Sequence, residues 1–322
     1  MMMNLEIVPF GEKHLEDAAT LACSRYNELR REIPLLPSRY AEISTLLPLL
    51  HKIVKGGPGV AALHQGRLVG FLTGWLMPSF RGRPAVLSPE WGNAVDTENS
   101  RRICEEMYTH ISASWVADGY LTHLIGKLPN DFDGIDVWHW LGFGMIAVDA
   151  LRGLNPAEGS TARIDIRRGG PEDTNEAMAL IDALKLHSAS APTFLIQTKQ
   201  RDRRYYEEWL ANPDNALWLA YNGSEALAFM QHGPASTDTC TIIQDQKTTS
   251  IIGAYTRENV RCRGIASTLL NRSLEWARGE GYERCAVDFE PMNPLATRFW
   301  LKYFKPVCYT LVRHVDKTET GA

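Results

Sequence analysis

The sequence has few cysteines, and they do not form the close pairs that zinc sites require. Its six cysteines lie at positions 23, 104, 240, 262, 285 and 308, without any CxxC spacing. A chain of 322 residues, 44% of them hydrophobic, can build a core without disulfide bonds. We therefore expect no metal and no disulfide framework, and we interpret most of the cysteines as buried or incidental thiols.

The sequence also lacks a strong excess of charge and a long apolar run. Its formal net charge of −4 argues against a broad basic surface for nucleic acid or membrane. No apolar run approaches the roughly 20 residues that span a bilayer. The first residues, Met-Met-Met-Asn-Leu-Glu, lack the regions of a signal peptide. These absences predict a cytoplasmic globular protein whose partner is a small molecule or a peptide.

The chain contains a long internal duplication. Trp140-Leu-Gly-Phe matches Trp300-Leu-Lys-Tyr-Phe, and the two tryptophans lie 300 − 140 = 160 residues apart. Hairpin signals recur as well, at His64-Gln-Gly66 and at Asn222-Gly223. This spacing is too long for a solenoid repeat and indicates one domain copied in tandem. The joint falls near Leu154–Ser160, where Asn, Pro, Gly and Ser break regular structure.

Each copy has the same predicted order of elements. A strand, one or two helices, a hairpin and a long strand precede a helix, a strand, a second helix and closing strands. Mixed order of this kind predicts an α+β class, as an α/β sandwich around one central sheet. The predicted domains are 1–154 and 161–322.

The second copy carries a motif that is typical of an anion site. A strand over 248–255 leads through a turn to Arg261-Cys-Arg-Gly264-Ile-Ala266, and leucines at helical spacing follow. The first N–H groups of a helix have no internal partner, and the helix dipole adds positive potential there. Phosphate groups bind readily at such a helix start. On the hexapeptide alone, a basic turn capping an ordinary helix remains the alternative.

This hexapeptide resembles the Gln/Arg-x-x-Gly-x-Gly/Ala signature of the Gcn5-related N-acetyltransferase (GNAT) superfamily. A strand at 284–290 then leads to Asn293-Pro-Leu-Ala296 and to Phe299-Trp300-Leu-Lys-Tyr-Phe304. These segments resemble the family's Asn-x-x-Ala-x-x-Phe-Tyr-x-x-x-Gly-Phe. The resemblance covers about 162–316 well, whereas 4–154 shares only the order of elements. It implies two tandem GNAT-like domains, each with a mixed sheet, splayed middle strands and flanking helices.

The resemblance implies acetyl-coenzyme A as cosubstrate and an amine as acceptor. The backbone of 262–266 would hold the pyrophosphate, and Asn293 would contact the pantetheine arm or shape the acceptor site. The acetyl thioester would lie between the splayed strands 249–255 and 284–290. The residues that we assign to coenzyme binding are Val260, Arg261, Cys262, Arg263, Gly264, Ile265, Ala266, Ser267, Asn293 and Ala296.

Direct attack of an amine on a thioester needs a base, a donor for the carbonyl oxygen and an acid for the thiolate. For the base we favour Glu290, and Glu258 is the second choice. Asp288 and Glu290 alternate with apolar residues, so they should share one face of their strand. An ordinary ion-paired carboxylate is the alternative. Tyr255 and Asp288 are candidate contacts to the acceptor.

One position departs from the family pattern. Trp300 stands where many members carry the tyrosine that serves as the acid, and an indole is a poor acid. Tyr303 is a candidate for that role, although it stands where the family usually has glycine. The departure keeps two alternatives open, which are a non-catalytic acyl-coenzyme A sensor and a structural or partner-binding protein. A monomer and a homodimer are both compatible with the sequence.

The first copy lacks the phosphate loop. Its corresponding turn, Val95–Ser100, has no glycine and places Asp96 and Glu98 where a pyrophosphate would lie. We expect Asp96 or Thr97 to cap the next helix, and we interpret the domain as a scaffold or as one wall of the acceptor site. A GxGxxA pattern at 142–147 is not a dinucleotide-binding turn, because a strand is expected to follow it.

Residues around the predicted cleft should form the acceptor pocket. We expect contributions from Thr193–Arg204 and from the region 231–248. Loops of this kind diverge freely between functions, so the sequence does not identify the amine.

Overall fold

A computed structural model describes residues 4–159, 162–196, 201–235 and 239–316. The chain divides into two compact units. The first unit comprises Met1–Val148, Cys240–Ile242 and Pro306–Ala322, and the second comprises Asp149–Thr239 and Ile243–Lys305. Both units combine strands with helices, which confirms the predicted α+β class.

The helices and strands follow the predicted order except after the first hairpin, where three short strands, β4, β5 and β6, stand in place of the predicted long strand. Within the described residues the helices are α1 Leu15–Glu32, α2 Ile43–Gly56, α3 Ser100–Ala117, α4 Phe132–Trp140, α5 Thr174–Ala189, α6 Arg203–Ala211, α7 Ile265–Gly279 and α8 Pro294–Tyr303. The strands are β1 Glu6–Pro9, β2 Gly59–His64, β3 Arg67–Thr73, β4 Trp75–Phe80, β5 Arg83–Ser88, β6 Asn93–Val95, β7 Thr122–Lys127, β8 Gly144–Gly153, β9 Asp165–Gly169, β10 Ala216–Asn222, β11 Glu225–Pro234, β12 Thr248–Thr256, β13 Arg284–Phe289 and β14 Lys305–His314.

The first unit contains two sets of paired strands. One has the order β1-β2-β3-β6 with antiparallel neighbours. In the other, β5 lies between β4 and β7, and β7 also pairs with β14. The core between these strands and α3 contains the fully buried Trp115 and Trp138.

The second unit has a continuous order of strands. Strands β9, β10, β11 and β12 are antiparallel neighbours, and β13 runs parallel to β12. Alternate residues of a strand face opposite sides of its sheet, and β11 shows this clearly. Phe229 packs in an apolar cluster with residues of α5 and α6, whereas the Met230 sulphur accepts a hydrogen bond from Ser273 of α7 at 3.4 Å.

The compact units differ from the predicted boundaries of 1–154 and 161–322. The closing strand of the second copy, β14, pairs with β7 and lies in the first unit. A strand at the edge of a sheet has unpaired N–H and C=O groups, and β14 satisfies those of β7. Conversely, residues from Asp149 onwards, still within β8, already lie in the second unit. Sequence repeats mark copied segments and cannot show such an exchange.

Two local expectations can be compared with the structure. The cap of α3 is Asn99, with a left-handed φ of 60°, so the prediction of Asp96 or Thr97 was wrong. Asp96 instead forms an ion pair with Arg67 at 2.9 Å, which withdraws its carboxylate from the helix start. At the GxGxxA pattern, the expected strand is present, but β8 begins inside the pattern at Gly144 rather than after it, so no helix follows the glycines. Within the described residues, no helix has both the length and the apolarity of a membrane span.

Candidate active site

The middle strands of the second unit separate along their length. The parallel ladder runs from the pair Thr248–Arg284 to the pair Ile251–Val287. At that point β12 bulges, because Gln231 pairs with Gly253 while His232 pairs with Ile251, which leaves Ile252 as an extra residue. A bulge bends its strand and increases the local twist, so the far ends of β12 and β13 open into a cleft.

The loop after β12 ends in an uncapped helix start. Its backbone turns through two left-handed positions, Cys262 with a φ of 61° and Gly264 with a φ of 79°. Glycine adopts this conformation without strain, so Gly264 suits the turn into α7. No side chain caps α7, whose first residue is Ile265. The first N–H groups of α7 can therefore bind an anion, and the helix dipole strengthens that site.

Two arginines stabilise this loop and make it positive. Arg261 donates from Nε to the Thr256 carbonyl at 3.0 Å, and its guanidinium carbon lies 5.4 Å from the centre of the Tyr255 ring. Its Nη1 lies 3.3 Å from an oxygen of Glu258. Arg263 donates to the Asn259 carbonyl at 3.1 Å. Both guanidinium groups are therefore held beside the start of α7.

A cavity of about 480 Å³ lies between the loop, the opened strands and α8. Its size suits an organic ligand, since such pockets usually measure roughly 300–1,000 Å³. It brings together most of the residues that the sequence assigned to a site, namely Tyr255, Val260, Arg261, Cys262, Gly264, Ile265, Ala266, Ser267, Asn293, Ala296 and Tyr303. Arg263 lies on the loop but is not among the described lining residues.

The start of α8 explains the position of Asn293 and Ala296. The Asn293 side chain accepts a hydrogen bond from the Ala296 N–H at 3.3 Å and so caps the helix, with Pro294 at its first position. This cap holds both residues at the edge of the cavity.

The aromatic residues of α8 form one wall. Trp300 is buried, and its ring lies edge-on to Phe299 and Phe304, with centroids 4.8 Å and 5.4 Å away. The ring centre of Tyr303 lies 5.1 Å from that of Phe299, and its hydroxyl lies close to Gly159. Trp300 therefore has a packing role as well as a place in the cavity wall, and Tyr303 is half-buried beside it.

The predicted catalytic carboxylates lie outside the described lining of the cavity. Glu258 is exposed on a short 3₁₀ turn and pairs with Arg261. Strand β13 ends at Phe289, so Glu290 follows it, and its carbonyl accepts the Asn293 N–H at 3.0 Å. Asp288 is exposed on β13. Neither Asp288 nor Glu290 is thus among the described residues that line the cavity, and their catalytic role stays a prediction.

Sequence reasoning missed much of the rest of the wall. The additional lining residues are Leu184, His187, Phe229, Met230, Ala254, Thr256, Leu269, Leu295, Arg298, Phe299 and Lys302. His187 is a lone histidine near the end of α5 and belongs to no motif, so only the fold shows its position. Of the predicted acceptor loops, 197–200 and 236–238 lie outside the described residues.

Comparisons with known proteins agree with this geometry. Residues 183–304 match the sequence model of the Acetyltransferase (GNAT) family. This segment contains the loop, the cleft strands and α8. This part of the chain is therefore similar to a GNAT domain. No match was found among curated protein sequences.

Two solved structures have a similar fold over nearly their whole length. A Gcn5-related N-acetyltransferase from Sphaerobacter thermophilus is 12% identical, with 97% of this chain and 96% of that chain covered and a TM-score of 0.60. A tandem GNAT protein from the clavulanic acid biosynthesis pathway is also 12% identical, with 98% and 100% covered and a TM-score of 0.50. At these identities the likeness concerns the fold alone, and it extends over both GNAT-like halves.

The first GNAT-like half differs at the position of the cleft. Strand β12 is continuous in the second unit, whereas its counterpart is broken into β5, parallel to β7, and β6, antiparallel to β3. Around this break lies the buried side chain of Lys127, whose Nζ is 2.6 Å from an Asp131 oxygen and 3.2 Å from the Asn93 side-chain oxygen. A buried ion pair therefore lies at the end of β7, the strand that pairs with β5 at this break.

Proposed function

We propose that this protein is an N-acetyltransferase whose chemistry takes place in the second unit. The cavity that joins the uncapped start of α7 to the opened strands carries this proposal. Its acetyl donor is acetyl-coenzyme A, and its acceptor is a primary amine of a small molecule or peptide. We also propose that the enzyme acts in the cytoplasm.

Each part of the cavity suits a part of the coenzyme. The N–H groups of residues 262–266 bind the pyrophosphate, and Arg261 and Arg263 add positive charge beside it. The neutral pantetheine arm passes Asn293 and Ala296. Beyond Ile251 the inner edge of β12 has no ladder partner in β13, so its backbone N–H groups are available to the thioester carbonyl.

The reaction that fits this arrangement is direct transfer. Acetyl-coenzyme A supplies the thioester acetyl group. An uncharged amine nitrogen attacks the carbonyl carbon, the N–C bond forms and the C–S bond breaks. The nitrogen loses one proton and the sulphur gains one, so coenzyme A leaves as a thiol. Tyr303 is the candidate donor of that proton, because it lines the cavity beside Trp300. Glu290 and Glu258 remain the bases that the sequence favours.

A non-catalytic acyl-coenzyme A sensor is the second candidate function. It is favoured by Trp300, a buried indole at the family's usual tyrosine position. An enzyme and a sensor share the fold and the coenzyme, so only turnover separates them.

We expect the purified protein to release thiol from acetyl-coenzyme A in the presence of a suitable primary amine. A continuous thiol assay against a panel of amines and amino-terminal peptides measures this. Glu290→Gln is expected to slow turnover while acetyl-coenzyme A still binds, if that carboxylate is the base. Binding of the coenzyme without turnover on any amine would contradict the enzyme and favour the sensor.

A further inference from the structure

The cavity of the second unit reaches both sides of its sheet. Phe229 and Met230 are neighbours on β11 and face opposite sides, and both line the cavity. The coenzyme loop opens at the start of α7, on the side of Met230. The opposite side, where α5 lies, is therefore left for the acceptor. We call this part the acceptor half and define it by Leu184, His187, Phe229 and Tyr255.

The acceptor half is mostly apolar. Phe229 is fully buried in the cluster formed with α5 and α6, and Leu184 and Tyr255 pack against the same cluster. Among its four residues, His187 and the Tyr255 hydroxyl supply the polar side-chain groups. A ligand bound here exchanges water for apolar contact, which stabilises it by about 25 cal/mol per Å² of apolar surface buried.

The charges of the cavity have one sign. Arg261, Arg298 and Lys302 line it, and neither Asp nor Glu is among its described lining residues. None of the four residues of the acceptor half is a carboxylate, so an amine with several positive charges would lose water there without gaining an anionic partner within that half. An amine with one positive charge avoids most of this cost if it can lose its proton.

His187 is placed to take that proton. Its side chain is 21% exposed, and its Nδ1 lies 3.9 Å from an oxygen of Glu258. Its ring centre is 6.2 Å from that of Tyr255. The charged groups that face it are thus Glu258 and, through Glu258, Arg261. With Nδ1 nearest to Glu258, Nε2 is the other ring nitrogen of this cavity-lining residue.

We propose that the acceptor half takes a primary amine with a single positive charge and an apolar body, and that His187 accepts its ammonium proton. This rests on the proposed acetyltransferase function. The ammonium transfers one proton to Nε2 of His187, which becomes an imidazolium and later releases the proton to water. The resulting uncharged amine attacks the thioester carbon, the N–C bond forms and the C–S bond breaks. The nitrogen then loses a second proton, and the coenzyme A sulphur gains one to become a thiol.

The substrate class is tested by competing amines of matched concentration. With acetyl-coenzyme A, we expect phenethylamine to give a kcat/KM at least about 100-fold above those of spermidine and kanamycin, a difference of about 2.7 kcal/mol. Leu184→Glu places a carboxylate in the acceptor half and is expected to shift the ratio towards spermidine by about tenfold or more. Leu184→Gln is the matched control without the charge and should not shift it.

The role of His187 is tested by its pH profile. His187→Gln is expected to lower kcat with phenethylamine by about 10²–10⁴-fold at pH 7. This loss of kcat should become smaller as the pH rises, because more of the amine is then already deprotonated in solution. His110→Gln, which removes an exposed histidine of α3, should leave the profile unchanged. A merely structural role for His187 would give a loss that does not vary with pH.

Several results would overturn the proposal. Preference of the wild-type enzyme for spermidine or kanamycin contradicts the substrate class, and so does turnover on none of the three amines when acetyl-coenzyme A binds. If Glu290→Gln lowers kcat and His187→Gln does not, Glu290 accepts the ammonium proton instead of His187. Calorimetric titration of acetyl-coenzyme A, run in parallel, identifies the different case in which the coenzyme does not bind and the proposed function itself fails.

Discussion

The Gly264→Asp variant is expected to bind acetyl-coenzyme A at least about 100-fold more weakly than the wild-type protein. Gly264 precedes the first residue of α7, so a side chain there lies beside the N–H groups that we assign to the pyrophosphate. A carboxylate about 4 Å from a phosphate charge costs roughly 4 kcal/mol at an effective dielectric constant of 20. The introduced carboxylate also competes with the pyrophosphate for the N–H groups at the start of α7. Calorimetric titration measures the change.

Two controls separate the charge from its side effects. Gly264→Asn adds a side chain of the same size without charge, and Asn99 shows that asparagine is accepted at the equivalent left-handed cap of α3. We expect its loss of affinity to be about tenfold or less. Gly281→Asp adds the same charge and the same backbone strain at a φ of 84°, in open space after α7. Equal losses in all three variants would contradict an anion site at Gly264.

The second large effect concerns the stability of the first unit. Asp131→Asn is expected to lower the free energy of unfolding by about 3 kcal/mol, since breaking a buried ion pair leaves an uncompensated charge. The Lys127 and Asp131 side chains are only 5% and 14% exposed. Asparagine keeps the cap of α4, where Asp131 accepts the Gly134 N–H at 3.1 Å. Urea unfolding followed by tryptophan fluorescence measures the loss.

The pKa values of the pair give this effect a pH dependence. Burial alone would raise the pKa of Asp131, but the ammonium of Lys127 outweighs burial and holds that pKa below its ordinary value of 3.8. Burial would likewise lower the pKa of Lys127, and Asp131 outweighs it. A depressed carboxylate pKa stabilises the fold above the unfolded pKa and loses this effect as the pH falls through the folded pKa. The free energies of unfolding of the wild type and of Asp131→Asn should therefore become more similar below about pH 4.

An exposed pair supplies the control for this prediction. Arg101 and Glu105 lie one turn apart on α3 at 3.0 Å, with side chains 51% and 42% exposed. Glu105→Gln should cost less than about 0.5 kcal/mol, as is usual for such pairs. The double variant Lys127→Met with Asp131→Asn removes both charges and should recover much of the stability. A loss for Asp131→Asn no larger than that for Glu105→Gln would show that the buried pair is unimportant.

The sequence predicted many of the residues that line the cavity on the side that we propose for the coenzyme. The glycine at 264, the leucines that follow it and the Asn-Pro pair at 293–294 each have a local physical meaning. A left-handed turn, a buried helix face and a helix cap are determined by neighbouring residues. The structure places Gly264 and Asn293 on one cavity for these reasons.

The acceptor half could not be predicted in the same way. His187 and Leu184 lie on α5, about seventy residues before the loop. They reach the cavity because α5 packs against strands β11 and β12. Glu258 and Glu290 looked suitable because carboxylates are common bases. Their position relative to the cavity depends on where β13 ends and on the 3₁₀ turn before Arg261, which strand alternation does not determine.

The first half also contains information that the repeat obscured. Its missing glycine was visible at 95–100, and it predicts the loss of phosphate binding. The break between β5 and β6 and the buried Lys127 were not visible, because the duplication suggested a continuous strand. Together these features support a first half that is a scaffold without a coenzyme site.

Calorimetric titration of the wild-type protein with acetyl-coenzyme A tests the central claim most directly. We predict one site per chain, because among the described residues the second unit has a glycine-bearing helix start beside an open cleft and the first unit does not. Two equivalent sites per chain would show that the first half binds the coenzyme despite Asp96 and Lys127. The absence of any binding would contradict the assignment of the cavity to acetyl-coenzyme A.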